Sequence, residues 1–565
     1  MPPPPARAPS RSARVLGWLG GLVALLAGAA CHPGDQTAGP PDPQGDAPGS
    51  VRPRLLVVVV VDQMPARIVE RDRARWRDGL ARIFSQGAFT LEGWHRHAGT
   101  FTAAGHGTLA TGTDPAHHGL VANHWWDRER WRSVDAVADP DAAPVGAPDA
   151  GPRSAVHLLR PGLADWWEAA DPRAHTVSLG LKDRAVIALG GQHPDLAVWL
   201  DRDAGRWVTS TWYADTLPAF ASAVDVARRA RALLGEGWDV ARGGPDDPVP
   251  DRVEAEADGV HVTFPHRTAD LLRWDETVEA AIRATPFGNT LVADLAVAAI
   301  TEGPLGRDDV PDLLCVAFSS TDYVGHRFGP DSREIVDTYD RLDADLGRLL
   351  DALDAHVGRD RYVLVLASDH GVTPLPERAG GRRIRPDELV AQVRRALEAG
   401  FAPAGAFEGI PRPKVAYEDG VYFGFSANTP PAVRAQVRAA AAAALRARPD
   451  VADVFTSDEL AAAEPPSRPF GAAFARSFHP ARSPDLLVLP ARGSLVIDYP
   501  GTTHGTPYPW DRQVPIAVLD PTVPPGRAGG RFETVDLAPS LAARFAVRVP
   551  AGVDGHPRSL DLARP

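Results

Sequence analysis

Arg54-Leu55-Leu56-Val57-Val58-Val59-Val60-Val61-Asp62-Gln63-Met64 is the stretch on which the fold turns. Its apolar run shows no polar alternation, so both faces of the strand it predicts must be covered, as in a parallel sheet between helices. Outward from it, similar runs recur at 313–318, 362–366, 486–489 and 515–519. Helical periodicity marks 68–84 and segments near 289–302, 333–355, 386–399, 431–447 and 533–545. This alternation predicts an α/β fold, a largely parallel central sheet with helices on both faces. The arginines of 68–84 read as a solvated face. Two stretches, 124–285 with its hairpin-like 198–210 and 376–484, break the rhythm and read as cap insertions over the core.

Of the 565 residues, 44% are hydrophobic and 23% charged, which argues for a globular body. The net charge of −12 argues against a general nucleic-acid binder. Two cysteines, Cys31 and Cys315, cannot build a disulfide framework or a thiolate zinc site, so any metal must be held by His and carboxylates. Cys315 falls inside a strand pattern and reads as core.

Arg7, Arg11 and Arg14 precede an apolar run, 15–27, that is too short for a permanent membrane span. Residues 1–31 read as an export signal. Cys31 after Gly28-Ala29-Ala30 resembles a bacterial lipoprotein cleavage site, although Gly28 stands where leucine is usual; a plain signal peptide with a coincidental cysteine is the alternative. Residues 32–53, rich in Pro and Gly, read as a flexible tether to a body spanning 54–565. The body is expected outside the cytoplasm: periplasmic, secreted, or held at the outer membrane by a lipid on Cys31.

Polar residues gather where strands end. Asp62 follows the valine run, Asp322 and His326 follow 313–318 at one-turn helical spacing, and Asp369 and His370 follow 362–366. His504 lies in Gly501-Thr502-Thr503-His504-Gly505, before the 515–519 strand. Ligands of open parallel sheets bind outside the carboxyl ends of strands, so these segments point into one crevice. Any single Asp after a strand is ordinarily a turn or cap residue. Three carboxylates together would repel one another if buried, and a pair of divalent cations relieves that cost. Carboxylates and imidazoles without thiolates suit zinc. Thr102, in Thr100-Phe101-Thr102-Ala103-Ala104-Gly105-His106, is read either as a helix N-cap or as a nucleophile whose hydroxyl a metal activates. His117 and His118 read as surface or loop residues.

The segments around Asp62-Gln63-Met64, 100–112, 121–127, Leu181-Lys182-Asp183-Arg184, 319–329, 367–371 and 501–505 resemble, in order, the alkaline phosphatase superfamily, and within it the PafA-type phosphate-irrepressible monoesterases. The resemblance implies two zinc ions. Asp322, His326 and His504 would hold one; Asp62, Asp369 and His370 would hold the other, with Thr102 as its coordinated nucleophile. Asn123 would bind a phosphoryl oxygen, and Lys182 and Arg184 match the pair that marks the monoesterase branch. Ala104 departs from the pattern, where proline is common. Composition adds support at Lys182, because only Lys182 and Lys414 among 60 basic residues are not arginine. A lysine kept in such a chain suits a compact point charge, although an ordinary surface lysine is the plainer reading.

The function so implied is an exported zinc phosphomonoesterase acting on small phosphate esters through a phosphothreonine. A phosphodiesterase or nucleotide pyrophosphatase of the same superfamily is the first alternative. A noncatalytic, zinc-stabilised surface protein that binds phosphorylated ligands is the second.

Overall fold

A computed structural model describes residues 52–562 except 236, 243–248, 274, 276 and 402–411. The signal segment, Cys31 and nearly all of the 32–53 tether lie outside the described residues.

The strands of the main sheet are β1 (Leu55–Val61), β2 (Ala88–Trp94), β3 (Thr176–Gly180), β4 (Leu196–Asp201), β5 (Arg206–Ser210), β6 (Asp312–Phe318), β7 (Tyr362–Ala367) and β8 (Gln513–Leu519). Their order is β2-β8-β7-β1-β6-β3-β4-β5, and short flanking strands bring the sheet to 11. β1 pairs in parallel on both sides, with Val58 opposite Cys315 of β6 and Val365 of β7. β3 and β4 continue the parallel set, while β8 and β5 run against their neighbours. The unbroken apolar run of β1 is explained by this position, because every one of its side chains is buried. Leu55, Val57, Val59 and Val61 enter one apolar core, and Leu56, Val58 and Val60 enter the core on the opposite face.

The helices used below are α1 (Gly79–Gln86), α2 (Thr102–Thr111), α3 (Asp183–Gly190), α4 (Phe287–Glu302), α5 (Ser320–Phe328), α6 (Arg333–Leu353) and α7 (Pro431–Arg446). Leu342, Leu346, Leu349 and Leu353 recur at helical spacing on α6 and fill the first core with Leu291 and Leu295 of α4. Ser332 caps α6 by accepting the Ile335 N–H at 3.2 Å. The predicted 68–84 segment is two helices, Ala66–Asp72 and α1. Its arginines are not simply solvated: Arg71 pairs with Asp72 and Asp331, Arg75 with Asp340, and Arg82 with Asp351 and Asp354.

The insertions differ from expectation. The stretch 124–285 contributes β3, β4 and β5 to the main sheet, so only parts of it lie off the core. Thr176 and Ser178 interrupt the apolar pattern of β3, yet both are fully buried, and the Ser178 hydroxyl donates to the Val186 carbonyl at 2.7 Å. The predicted strand at 486–489 belongs instead to a separate antiparallel sheet of Lys414–Tyr417, Val421–Gly424, Val451–Thr456 and Leu486–Pro490, against which α7 packs. Cys315 is buried in β6. His117 is half exposed, but His118 is fully buried and is corrected from a surface residue to a structural one.

Two predictions follow from this packing. A Cβ at Gly79 would overlap the backbone of Leu346 and Gly347, where α1 crosses α6. Gly79→Ala should therefore lower the unfolding free energy in urea by about 1–3 kcal/mol. His118 is held neutral, because its Nδ1 accepts the Leu120 N–H at 3.2 Å while Nε2 meets the Thr108 hydroxyl at 3.2 Å. Burial pushes its pKa down to about 3 from an ordinary 6.5. The unfolded chain takes up that proton first, so stability present above pH 6.5 is lost as pH falls toward 3. In urea titrations at pH 4.5–6.5, His118→Asn should flatten the pH slope of stability by about 1 kcal/mol per pH unit.

Candidate active site

Four segments deliver side chains to one end of the sheet. Asp62 follows β1, Asp322 and His326 stand one turn apart on α5 beyond β6, Asp369 and His370 follow β7, and His504 precedes β8. β7 ends at Ala367, so Asp369 and His370 are free of strand alternation and can serve one site. Asp62, Asp322, Asp369 and His370 are almost completely buried, and His504 nearly so.

The three histidines share one arrangement. His326 donates Nδ1–H to the Thr502 carbonyl at 2.8 Å, His370 to the Gly371 carbonyl at 2.9 Å, and His504 to the Thr100 carbonyl at 2.6 Å. A carbonyl only accepts, so each ring, in its neutral form, presents a bare Nε2 lone pair to the cluster. Burial would lower the pKa of His326, but the Asp322 carboxylate outweighs it and raises that pKa. Those nitrogens converge: His326 Nε2 is 3.1 Å and His504 Nε2 3.5 Å from Asp322 Oδ1, and His370 Nε2 is 3.3 Å from Asp369 Oδ2 and 3.5 Å from Asp62 Oδ1.

Ligand-capable atoms lie within 4.8 Å of one another in two groups, Asp322–His326–His504 and Asp62–Asp322–His370. The first is the predicted set. The second differs from the predicted Asp62–Asp369–His370 in that Asp322 reaches across to it. Asp369 uses Oδ1 to accept from the Gln63 and His370 N–H groups, at 3.1 and 2.9 Å, and keeps Oδ2 beside His370.

Electrostatics sharpen the picture. Burial, reinforced by the Asp369 carboxylate, raises the pKa of Asp62. Burial would also raise Asp322, but the neighbouring His326 and Lys182 outweigh it and hold that carboxyl well below the usual range. Burial drives His370 well below its ordinary value and lowers His504, keeping both in the neutral form a metal needs. Asp62 Oδ1 is buried with no hydrogen-bond partner, and Asp62 Oδ2 and Asp369 Oδ2, also buried, meet only ion-pair contacts, the first with Lys182 and the second with His106 and His370. Buried, under-satisfied carboxylate oxygens beside inward-facing imidazole nitrogens, with no thiolate, are a donor set that fits divalent cations of the zinc type.

Thr102 is the first residue of α2, and Phe101, in the N-cap position, offers no capping side chain. The capping reading of Thr102 therefore does not hold. Its Oγ1 lies 3.5 Å from His370 Nε2. The next N–H of the helix, that of Ala103, donates to Asn123 Oδ1 at 3.0 Å, which fixes the amide at the helix start. Gly105 lets α2 approach this closely, because a Cβ there would overlap the Asp369 carbonyl. His106, one turn further, touches both the Thr102 carbonyl, at 3.0 Å, and Asp369 Oδ2, at 3.1 Å, through Nδ1.

Lys182 is buried at the start of α3, with Nζ 2.8 Å from Asp62 Oδ2 and in contact with Asp322 Oδ2. It is not a surface lysine. Burial disfavours its charge, but the two carboxylates outweigh this and raise its pKa. Tyr323 lies between two cations, its ring centroid 5.0 Å from Lys182 Nζ and 5.0 Å from Arg283 Cζ. Lys182, Arg184, Tyr323, His326 and Tyr499 line a cleft of about 650 Å³. The Arg184 Nε is buried without a hydrogen-bond partner.

All ten predicted site residues thus come to one crevice. Gln63, His106 and Tyr323 were not singled out in the sequence, because nothing in composition or periodicity separates them from their motif neighbours. The available signal was adjacency: each stands within four residues of a predicted ligand or nucleophile.

The family profile described as type I phosphodiesterase / nucleotide pyrophosphatase matches residues 56–512. The chain is 30% identical over 522 residues to alkaline phosphatase PafA of Elizabethkingia meningoseptica, covering 90% of this chain and 94% of that protein. It is 34% identical over 537 residues to alkaline phosphatase PhoK of Sphingomonas sp, covering 90% and 91%. The crystal structure of wild-type PafA matches with a TM-score of 0.81 at 29% identity, over 90% of this chain and 98% of that one. The chain therefore belongs to the type I phosphodiesterase / nucleotide pyrophosphatase family, within the alkaline phosphatase superfamily, and is a hydrolase similar to the PafA-type alkaline phosphatases.

Proposed function

We propose that this hydrolase is an exported, zinc-dependent phosphomonoesterase that works through a phosphothreonine at Thr102. The observation that carries the monoester reading is Lys182, a buried ammonium beside Arg184 at the floor of the cleft. A monoester dianion presents more non-bridging charge than a diester, and two fixed cations recognise that difference. Similarity to PafA and PhoK, named as alkaline phosphatases, supports the same assignment.

Two zinc ions would be held by Asp322, His326 and His504 and by Asp62, Asp369, His370 and Thr102. When bound, they would neutralise the buried carboxylates, acidify the threonine hydroxyl and stabilise the leaving oxygen. Thr102 Oγ1 then attacks phosphorus in line as the ester oxygen departs. Water attacks the phosphothreonine in turn, releasing inorganic phosphate and restoring the hydroxyl. Asn123, held by the Ala103 N–H, offers its amide N–H to a non-bridging oxygen, and Lys182 and Arg184 bind the others. Burial keeps His370 and His504 neutral, and His326, whose pKa the Asp322 carboxylate raises against the effect of burial, would be neutral with a cation on its Nε2.

Export and a lipid anchor rest on the sequence of residues 1–31 alone. Among the described residues, no helix is long and apolar enough to cross a membrane. The substrates are small phosphate monoesters, and no nucleic-acid binding is proposed.

The test is kcat/KM for p-nitrophenyl phosphate and bis-p-nitrophenyl phosphate, measured on the zinc-loaded protein. A strong monoester preference is expected. Thr102→Ala should remove at least about 10³-fold of it, and Lys182→Ala about 10²–10³-fold on the monoester with a smaller effect on the diester. A diester preference indifferent to Lys182 would move the chain to phosphodiester chemistry, and no turnover with zinc bound would favour a binding protein. Separately, dialysis against a chelator should abolish turnover while far-UV circular dichroism is retained, and zinc should restore it better than magnesium. Full activity at less than 0.1 zinc per chain by elemental analysis would defeat the zinc assignment (~0.1 as a contamination ceiling).

A further inference from the structure

Gln63 follows Asp62 in an unusual conformation. Its φ of 65° lies in the left-handed region, which costs a non-glycine residue free energy and persists only where the surroundings impose it. The side chain is 1% exposed. Its backbone N–H donates to Asp369 Oδ1 at 3.1 Å, and its Nε2 donates to Asp322 Oδ1 at 2.7 Å. Tyr339 Oη donates to its carbonyl at 3.3 Å. One residue thus hydrogen-bonds a carboxylate from each half of the cluster.

The direction of the amide is determined by chemistry. A carboxylate oxygen accepts, so the end of Gln63 that meets Asp322 must be the NH₂ group. Oε1 then points away and has no hydrogen-bond partner. It lies against Gly325, one turn along α5 from Asp322, where a Cβ would overlap Oε1. The three atoms nearest that hypothetical Cβ all belong to the Gln63 side chain, so Gly325 provides the space the amide needs.

We propose that Gln63 is a positioning residue that ties the two metal half-sites together, orienting Asp369 through its backbone and Asp322 through its amide, and that Gly325 exists to admit it. This rests on the metal-site reading above. Partners of metal ligands typically alter metal affinity by about 10–100-fold when removed.

The experiment measures zinc loss from the holoenzyme to a chromogenic chelator, alongside urea unfolding of the metal-free protein. Gln63→Gly keeps the backbone donor, relieves the φ and deletes the amide; it should release zinc about 10-fold or more faster, with metal-free stability unchanged or higher. Gly325→Ala should release zinc comparably fast with Gln63 still present. The Gln63→Gly/Gly325→Ala double variant should be no worse than Gln63→Gly alone, because the atoms that would overlap the new methyl group are then gone. Release within twofold of wild type in Gln63→Gly overturns the proposal, as does additivity of the two single effects. A wild-type protein that holds no zinc would instead overturn the metal reading itself, so the two failures are distinguishable.

Discussion

Three carboxylates, Asp62, Asp322 and Asp369, are buried close together at one end of the sheet, and a single ammonium, that of Lys182, contacts two of them. Left to themselves, such charges would repel and bind protons. A glutamine that donates to both halves counters that tendency, whereas the bare imidazole nitrogens turned inward add lone pairs that call for a cation. A cluster so built is unfavourable as an empty polar core and favourable as a cation cradle, which is why the chemistry of the donors, more than the fold, carries the functional reading.

The sheet supplies the rigidity. β1 is covered on both faces and paired on both edges, so Asp62 leaves a strand with little freedom to move. Asp322 and Asp369 leave its two neighbours, β6 and β7. Adjacent strands in register set three carboxylates side by side with little freedom to separate.

Much of this was legible in the sequence. The valine run fixed the nature of its strand because a continuous apolar run tolerates no exposed face. Asp322 and His326 were readable as one helical turn, and Lys182 stood out only because arginine fills almost every other cationic position. The reading failed where side-chain periodicity is uninformative. β3 carries buried Thr176 and Ser178, whose hydroxyls are satisfied inside the fold, so a central strand looked like part of a cap. The strand at Leu486–Pro490 has the same apolar character as its main-sheet counterparts, and pairing partners, not composition, assign it to the second sheet. His118 looked like a loop residue because its partners, Thr108 on α2 and the Leu120 N–H just beyond it, are contacts that periodicity does not register. The bridging role of Gln63 depends on a left-handed backbone that no local pattern announces.

The reversed direction of β8 has a consequence for how the protein is made. Because β8 runs against β7, its beginning lies at the same rim where β1, β6 and β7 end, and the loop before it can place His504 opposite Asp322. The donor cluster thus spans residues 62 to 504, with its first and last members brought together only after the antiparallel strand has docked. During synthesis, a partly emerged chain holds the acidic side of the cluster without its closing imidazole. Completion of the cluster is consequently a late event in the life of the chain, and one that reports on whether the sheet has been assembled in full.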